Sequence, residues 1–383
     1  MSKAAELAKM GEVLTNGQIG GRRNLIINGA YQIAQRGTSS TDQGASEGYK
    51  TVDRWNYTVG GDATAGRFTL TQDTSDAPTS EGFGFCTKFD CTTADTSIAA
   101  GEALIWRTKL EGGDLQGIKK GTSGAEEITL SFYAKGTAAT YAVELHDEDN
   151  QRHNTQKFTV TTSWQRFELT FAADTTGAFN NDQAASLGIA FYLHGGSDFT
   201  GGTFTSNTWA SRTAANVAVG ISSFYSSTDN EFFIAGVQLE VGSTATPFEH
   251  RSFGEEQALC MRYYQKIADG DEPTSSLVSD PAAQTIANMA AYSSTAIFGV
   301  LDLAVRMRAE PTIDLTSGTD YYTFLRNGTN DAFNSFILVR SQYDRLELYA
   351  VNSTNGSLSH TAGHAGWMRI NNASAYFAVS AEL

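Results

Sequence analysis

The sequence predicts an all-β fold: a jelly-roll β-sandwich, then a short helix and a second, smaller C-terminal β-sandwich, with a short N-terminal helix in front. Three observations carry this expectation. Many short segments alternate with a period of two, as where Ile128, Leu130 and Phe132 share one face while Thr129, Ser131 and Tyr133 share the other. Glycine is abundant at 37, proline scarce at 5, and aromatic residues reach 11%, a composition suited to rigid strands broken by turns. No helical pattern intervenes between the strand candidates of the long central region, which indicates two packed sheets.

Composition bounds the rest. The 383 residues suffice for two or three domains at roughly 150 residues each. With 40% hydrophobic and 18% charged residues the chain belongs to the globular class. Lys and Arg number 27 against 42 Asp and Glu, a net charge of -15, which argues against nucleic acid because phosphate binding needs clustered cations. No apolar run is long enough for a membrane span, and the opening MSKAAELAKM lacks the apolar core of a secretory signal.

In chain order, residues 1–23 read as an anchoring helix and linker. Leu7, Met10 and Leu14 form one apolar stripe, which Gly17, Gly20 and Gly21 end. So short a helix needs a covering surface, either sister chains or another protein, or else the chain's own first domain. Residues 24–251 read as the jelly roll, with strands expected at NLIINGAYQIAQ, KTVDRWNYTV, GRFTLTQ, FGFCTKFD, EALIWRTKL, EITLSFYAKG, TYAVELH, KFTVTT, QRFELTFAA, LGIAFYLHG, VAVGISSFY and FFIAGVQLEV. Residues 252–268 read as a connecting helix: Ser252 and Glu255 form a capping box, and Leu259 and Tyr263 share a face. ADGDEPTSS then breaks the structure. Residues 269–383 read as a β-sandwich of five or six strands, including one long strand in which Ile297, Leu301, Leu303, Val305 and Met307 share a face. Cysteines number three; Cys86 and Cys91, five apart on one strand, face opposite sides and should not pair, so reduced thiols and assembly inside a cell are expected.

Chemical signatures are sparse. No phosphate-binding loop, H-E-x-x-H or G-x-S-x-G sequence occurs. His146 and His153 flank DEDNQR, which reads as a charged hairpin tip and a solvated acidic loop rather than a metal or calcium site. Neither a catalytic set, a metal site nor a cofactor is expected. Aromatic residues in polar loops are more informative, because flat rings stack on the C–H faces of sugars while neighbouring polar groups bond the hydroxyls. Trp209 in GGTFTSNTWASRT, Asp320, Tyr321 and Tyr322 in SGTDYYTF, and Trp367 in GHAGWMRINN are the glycan-binding candidates. The alternative for each ring is packing beneath its own loop.

Three stretches resemble a known family. NLIINGAYQIAQRGT with KTVDRWNY is similar to the opening of bacteriophage virion proteins of the tail-fibre, receptor-binding type, especially in marine and cyanobacterial phages. FFIAGVQLEVGSTATPFEHRSFGEEQALCMRYYQK resembles the close of their central domain, and AGWMRINNASAYFAVSAEL their last strands. The resemblance implies a non-enzymatic homotrimeric fibre or spike with a carbohydrate-binding-module-like jelly roll. It implies an N-terminus docked to other virion proteins, such as a tail or baseplate adaptor, and a receptor-binding tip on a host surface polysaccharide. Its location would be the virion, assembled in the host cytoplasm. No long coiled-coil or β-helical shaft is present, so the fibre would be stubby. Two competitors stand beside it: a virion adaptor, capsid-decoration or head-fibre protein without a host ligand, and a glycan-degrading enzyme.

Overall fold

The structure, a computed structural model, describes residues 22–61, 65–270, 284–352 and 358–383. The chain divides into two compact units, one running to Glu256 and including Leu383, the other Gln257–Glu382.

The first unit contains β1 (Ser39–Gln43), β2 (Asn56–Val59), β3 (Arg67–Asp73), β4 (Cys86–Thr93), β5 (Ala103–Glu111), β6 (Ile128–Gly136), β7 (Ala139–Asp147), β8 (Arg152–Val160), β9 (Gln165–Phe171), β10 (Ala185–Gly195), β11 (Ala210–Ser211) and β12 (Glu231–Val241). They form two six-stranded antiparallel sheets, ordered β1-β3-β4-β12-β6-β9 and β11-β8-β7-β10-β5-β2. Alternation puts one face of each sheet into a shared core: Phe68 and Leu70, Phe89, Leu130 and Phe132 from the first, Trp106, Val143, Phe158 and Phe191 from the second. Trp106 stacks on Trp55 at 5.5 Å between ring centroids. Cys86 and Cys91 are unpaired and lie in different clusters on opposite faces of β4.

Four sequence expectations are corrected here. NLIINGAYQIAQ is not a strand but a buried loop. Asn28 and Tyr31 have positive φ, and side chains take up the backbone groups: the Asn28 amide donates to the carbonyls of Ile33 and Asp53 at 2.8 and 2.9 Å and accepts from the Ile33 N–H. The loop also completes β12, whose register slips between Ala235 and Gln238 at Gly236, a bulge with φ +59°. Asn24 donates to the Val237 carbonyl and accepts from the Leu239 N–H, and the Val237 N–H donates to Gly29. VAVGISSFY is likewise no strand; Gly220 has φ +78°, and Val217 and Ala218 bury against Ala142 and Tyr192, on the outer face of the second sheet. The acidic tip is not simply solvated. Asp147 is buried, and Lys120 Nζ donates to it at 2.6 Å and to the carbonyls of Thr176 and Gly177 at 2.8 Å, with Asp174 at 3.0 Å. The connecting helix is shorter than 252–268, covering Phe253–Met261, because YQKIAD alternates and pairs as a strand instead.

The second unit contains β13 (Tyr264–Asp269), β14 (Thr285–Ala291), β15 (Ala296–Asp302), β16 (Thr312–Leu315), β17 (Tyr322–Arg326), β18 (Thr329–Phe333), β19 (Ile337–Gln342), β20 (Arg345–Val351), β21 (Ala365–Ile370) and β22 (Tyr376–Ser380). A three-stranded sheet, β13-β22-β16, and a seven-stranded sheet, β18-β17-β21-β14-β15-β20-β19, enclose a core around Ile297, Phe324, Phe336, Leu348, Met368 and Phe377. Among the described residues nine of these strands, β14–β22, fall within 269–383, more than the expected five or six. The expected long strand ends at Asp302, since Gln265 captures the next backbone groups: it accepts from the Ala304 N–H and donates to the Val305 carbonyl. The Leu7, Met10 and Leu14 helix lies outside the described residues.

Candidate functional site

The seven-stranded sheet buries one face and leaves the other open. On β21, Met368 and Ile370 point inward while Trp367 points outward, 56% exposed. Leu325 of β17 and Asn288 of β14 flank it in register. Beside them the chain turns back through Asn327 and Gly328, both at positive φ (44° and 72°), the two-residue hairpin geometry that asparagine–glycine pairs favour. The result is an open groove of about 550 Å³ lined by Asn288, Leu325, Arg326, Asn327, Gly366 and Trp367. The Arg326 guanidinium is held by Asp331 at 2.9 Å, and Asp331 in turn meets His360 Nδ1 at 3.2 Å. Asn288 and Asn327 are exposed. A flat apolar ring rimmed by amide groups can stack on a C–H face and bond the hydroxyls around it.

The other sequence candidates do not join this groove. Tyr322 is fully buried, its hydroxyl donating to the carbonyls of Thr316 and Tyr376 at 2.7 and 2.8 Å. It belongs to the core because β17 alternates, with Tyr322 and Phe324 inward. Tyr321 is half-buried against the same core, and Asp320 is an exposed turn residue at φ +59° whose backbone bonds Asn334 and Asn371. Trp209 is half-buried against the core of the first unit: its Nε1 donates to the Ala172 carbonyl at 2.7 Å and Lys120 Nζ lies 5.4 Å from its ring. Among the tryptophan and tyrosine candidates, Trp367 is the one whose ring remains open to solvent.

The first unit carries a smaller concavity, away from every aromatic candidate of the sequence. Along β7 and β10, Glu144, His146, Gly188, Ala190 and Tyr192 face outward, opposite Arg107 and Lys109 on β5. The loop bearing Phe199, Val217 and Ala218 covers one end of this face, and beside it lies a pocket of about 210 Å³. Glu144 is buried and accepts from Arg212 Nε and the Tyr192 hydroxyl, each at 2.8 Å, with His153 Nδ1 at 3.3 Å. Burial alone would raise its pKa; the bonds from His153 and Arg212 outweigh burial and hold it down to about 2. Burial pushes the His146 pKa down, favouring neutral imidazole. Glu148 pairs with Lys109 at 2.8 Å. The signal for this face was present in EALIWRTKL and TYAVELH, where the polar half of each alternation supplies Arg107, Lys109, Glu144 and His146.

No protein-family model matches the sequence, and no curated protein matches it. Among solved structures, the chain is similar to the enzymatically active domain of tailspike protein 4 of bacteriophage CBA120, with 14% identity and a TM-score of 0.29 over 57% of this chain and 21% of that one. This chain therefore spans about a fifth of the tailspike domain. It is also similar to TmCBM61 in complex with β-1,4-galactotriose, with 9% identity and a TM-score of 0.28 over 57% of this chain and 99% of that one. The family 11 carbohydrate-binding module from Clostridium thermocellum, in complex with a β-1,3-1,4-mixed-linked tetrasaccharide, gives 11% identity and a TM-score of 0.25 over 55% of this chain and 98% of that one. Likeness at this level carries no argument about function.

Proposed function

We propose that this chain is a non-enzymatic glycan-binding protein, and that it serves as a stubby fibre or spike of a bacteriophage virion. The observation that carries the binding is Trp367: a large ring left open on a sheet face, rimmed by Asn288 and Asn327, in a groove with room for a saccharide. The virion placement rests on the sequence resemblance of the opening, middle and final stretches. On that placement residues 1–23 dock to other virion proteins, the chain forms a homotrimer, and three linked copies raise the effective concentration of weak sites.

The test is retention on immobilised host-surface polysaccharide. Wild-type protein is expected to be retarded, and Trp367→Ala to elute with the void while keeping its melting temperature. Equal retention of both proteins would refute the assignment of this groove.

A further inference from the structure

The pocket of the first unit holds more charge than its own pairs consume. Glu144 is satisfied by Arg212, and Glu148 by Lys109, each at 2.8 Å. Arg107 is left over. Its Nε donates to the neutral Asn56 Oδ1 at 3.2 Å, and no carboxylate among the described residues lies within ion-pair distance of it. Counting Lys109, which pairs with Glu148 beside the pocket rather than in its lining, three cations stand against two carboxylates, and Arg107 is the one without a carboxylate. Register places Arg107 opposite Ala190, which stands opposite Glu144; Lys109 stands opposite Gly188, which stands opposite His146. The two small residues on β10 leave floor space between the charged walls. His146 Nε2 is buried and without a partner. Phe199, half-buried, gives the pocket an apolar wall.

We propose that this pocket takes an acidic sugar, a hexuronate unit, with Arg107 as the specificity-determining residue that binds its carboxylate. The planar fork matches a carboxylate with two parallel hydrogen bonds, and such charge-assisted bonds are about twice as strong as neutral ones. A neutral sugar would leave the guanidinium desolvated and uncompensated, which favours the acid over its ester. Donors and acceptors on both walls suit ring hydroxyls, the unpartnered His146 Nε2 among them, and the Phe199 wall suits a C–H face. The inference deepens the glycan-binding reading and rests on it.

Calorimetric titration of the full chain with galacturonic acid trisaccharide, its methyl ester and inorganic phosphate separates the possibilities. Wild type is expected to bind the acid about tenfold more tightly than the ester. Arg107→Gln should abolish that preference, weakening the acid about tenfold while the ester binds no more weakly than to wild type because no guanidinium is left uncompensated, and Arg107→Lys should recover the preference in part. Melting curves confirm that both variants fold. Equal affinity of wild type for acid and ester overturns the proposal, as does a preference that survives Arg107→Gln. Phosphate binding that needs Arg107, without tighter binding of the acid trisaccharide, also overturns it, since the pocket would then be a bare oxyanion site. Neutral-polysaccharide retention that depends on Trp367 would persist through those failures; loss of all saccharide binding would sink the underlying reading as well.

Discussion

Glu144 shows how far a single side chain in this molecule is determined by its neighbours. Its carboxylate is out of water, yet ionised, because Arg212 and Tyr192 donate to its two oxygens and His153 Nδ1 lies 3.3 Å away. A depressed folded pKa means the group stabilises the fold fully above its unfolded value of 4.5, and that this contribution is lost as pH falls toward about 2. Glu144→Gln should therefore cost on the order of 2 kcal/mol at pH 7. That is less than a fully buried pair would lose, because Arg212 retains some exposure. Urea unfolding at a series of pH values checks it: the gap between variant and wild type is expected to narrow between pH 4.5 and 2. A gap that stayed constant would contradict the ion-pair account. Trp209 and Tyr322 teach the complementary lesson. Both sit in sequence among polar neighbours, and both are fixed by hydrogen bonds to carbonyls that lie far off in the chain, at Ala172 and Tyr376. Nothing local reveals such partners.

At the scale of elements, the segment Asn24–Gln35 replaces strand pairing by side-chain capping. Asn28→Ala removes two donated bonds and one accepted bond from buried backbone groups. At about 1 kcal/mol each, the expected loss is roughly 3 kcal/mol, read by chemical denaturation. Gly328→Val should disturb the Asn327–Gly328 turn, since a β-branched residue resists φ +72°. It is expected to weaken polysaccharide retention several-fold without unfolding the protein. Most strands were legible because one buried face imposes a period of two, which is why β5, β6, β7 and β12 fall where alternation placed them. NLIINGAYQIAQ reads as a strand yet forms a loop, because its apolar residues are buried without a ladder and hydrophobicity reports burial rather than hydrogen-bond pattern. The β17–β18 hairpin was legible in principle, through the Asn-Gly pair between alternating residues, but the neighbouring polar stretch masked it. The sequence marks Trp367 as a loop aromatic beside polar side chains, yet it stands on β21 and is exposed because of strand parity, a different cause for the same outcome.

At the scale of the whole molecule, two all-β units each offer one open sheet face, one aromatic and amide-rimmed, the other charged. On the fibre reading, the residues ahead of the first unit attach the chain to the particle. Deleting residues 1–20 is expected to abolish incorporation into virions while leaving a soluble, folded protein; normal incorporation of the deletion would refute that anchor. The central claim, adhesion to a glycan through Trp367, is tested most directly by tryptophan fluorescence during titration with soluble host-surface polysaccharide. Of the five tryptophans Trp55 and Trp106 are fully buried, Trp164 and Trp209 are half-buried, and Trp367 is 56% exposed, so covering Trp367 should give the largest change in emission, and Trp367→Ala isolates its share. A saturable blue shift is expected in wild type and none in Trp367→Ala. A flat titration in wild type, or the same shift in both proteins, would contradict the claim.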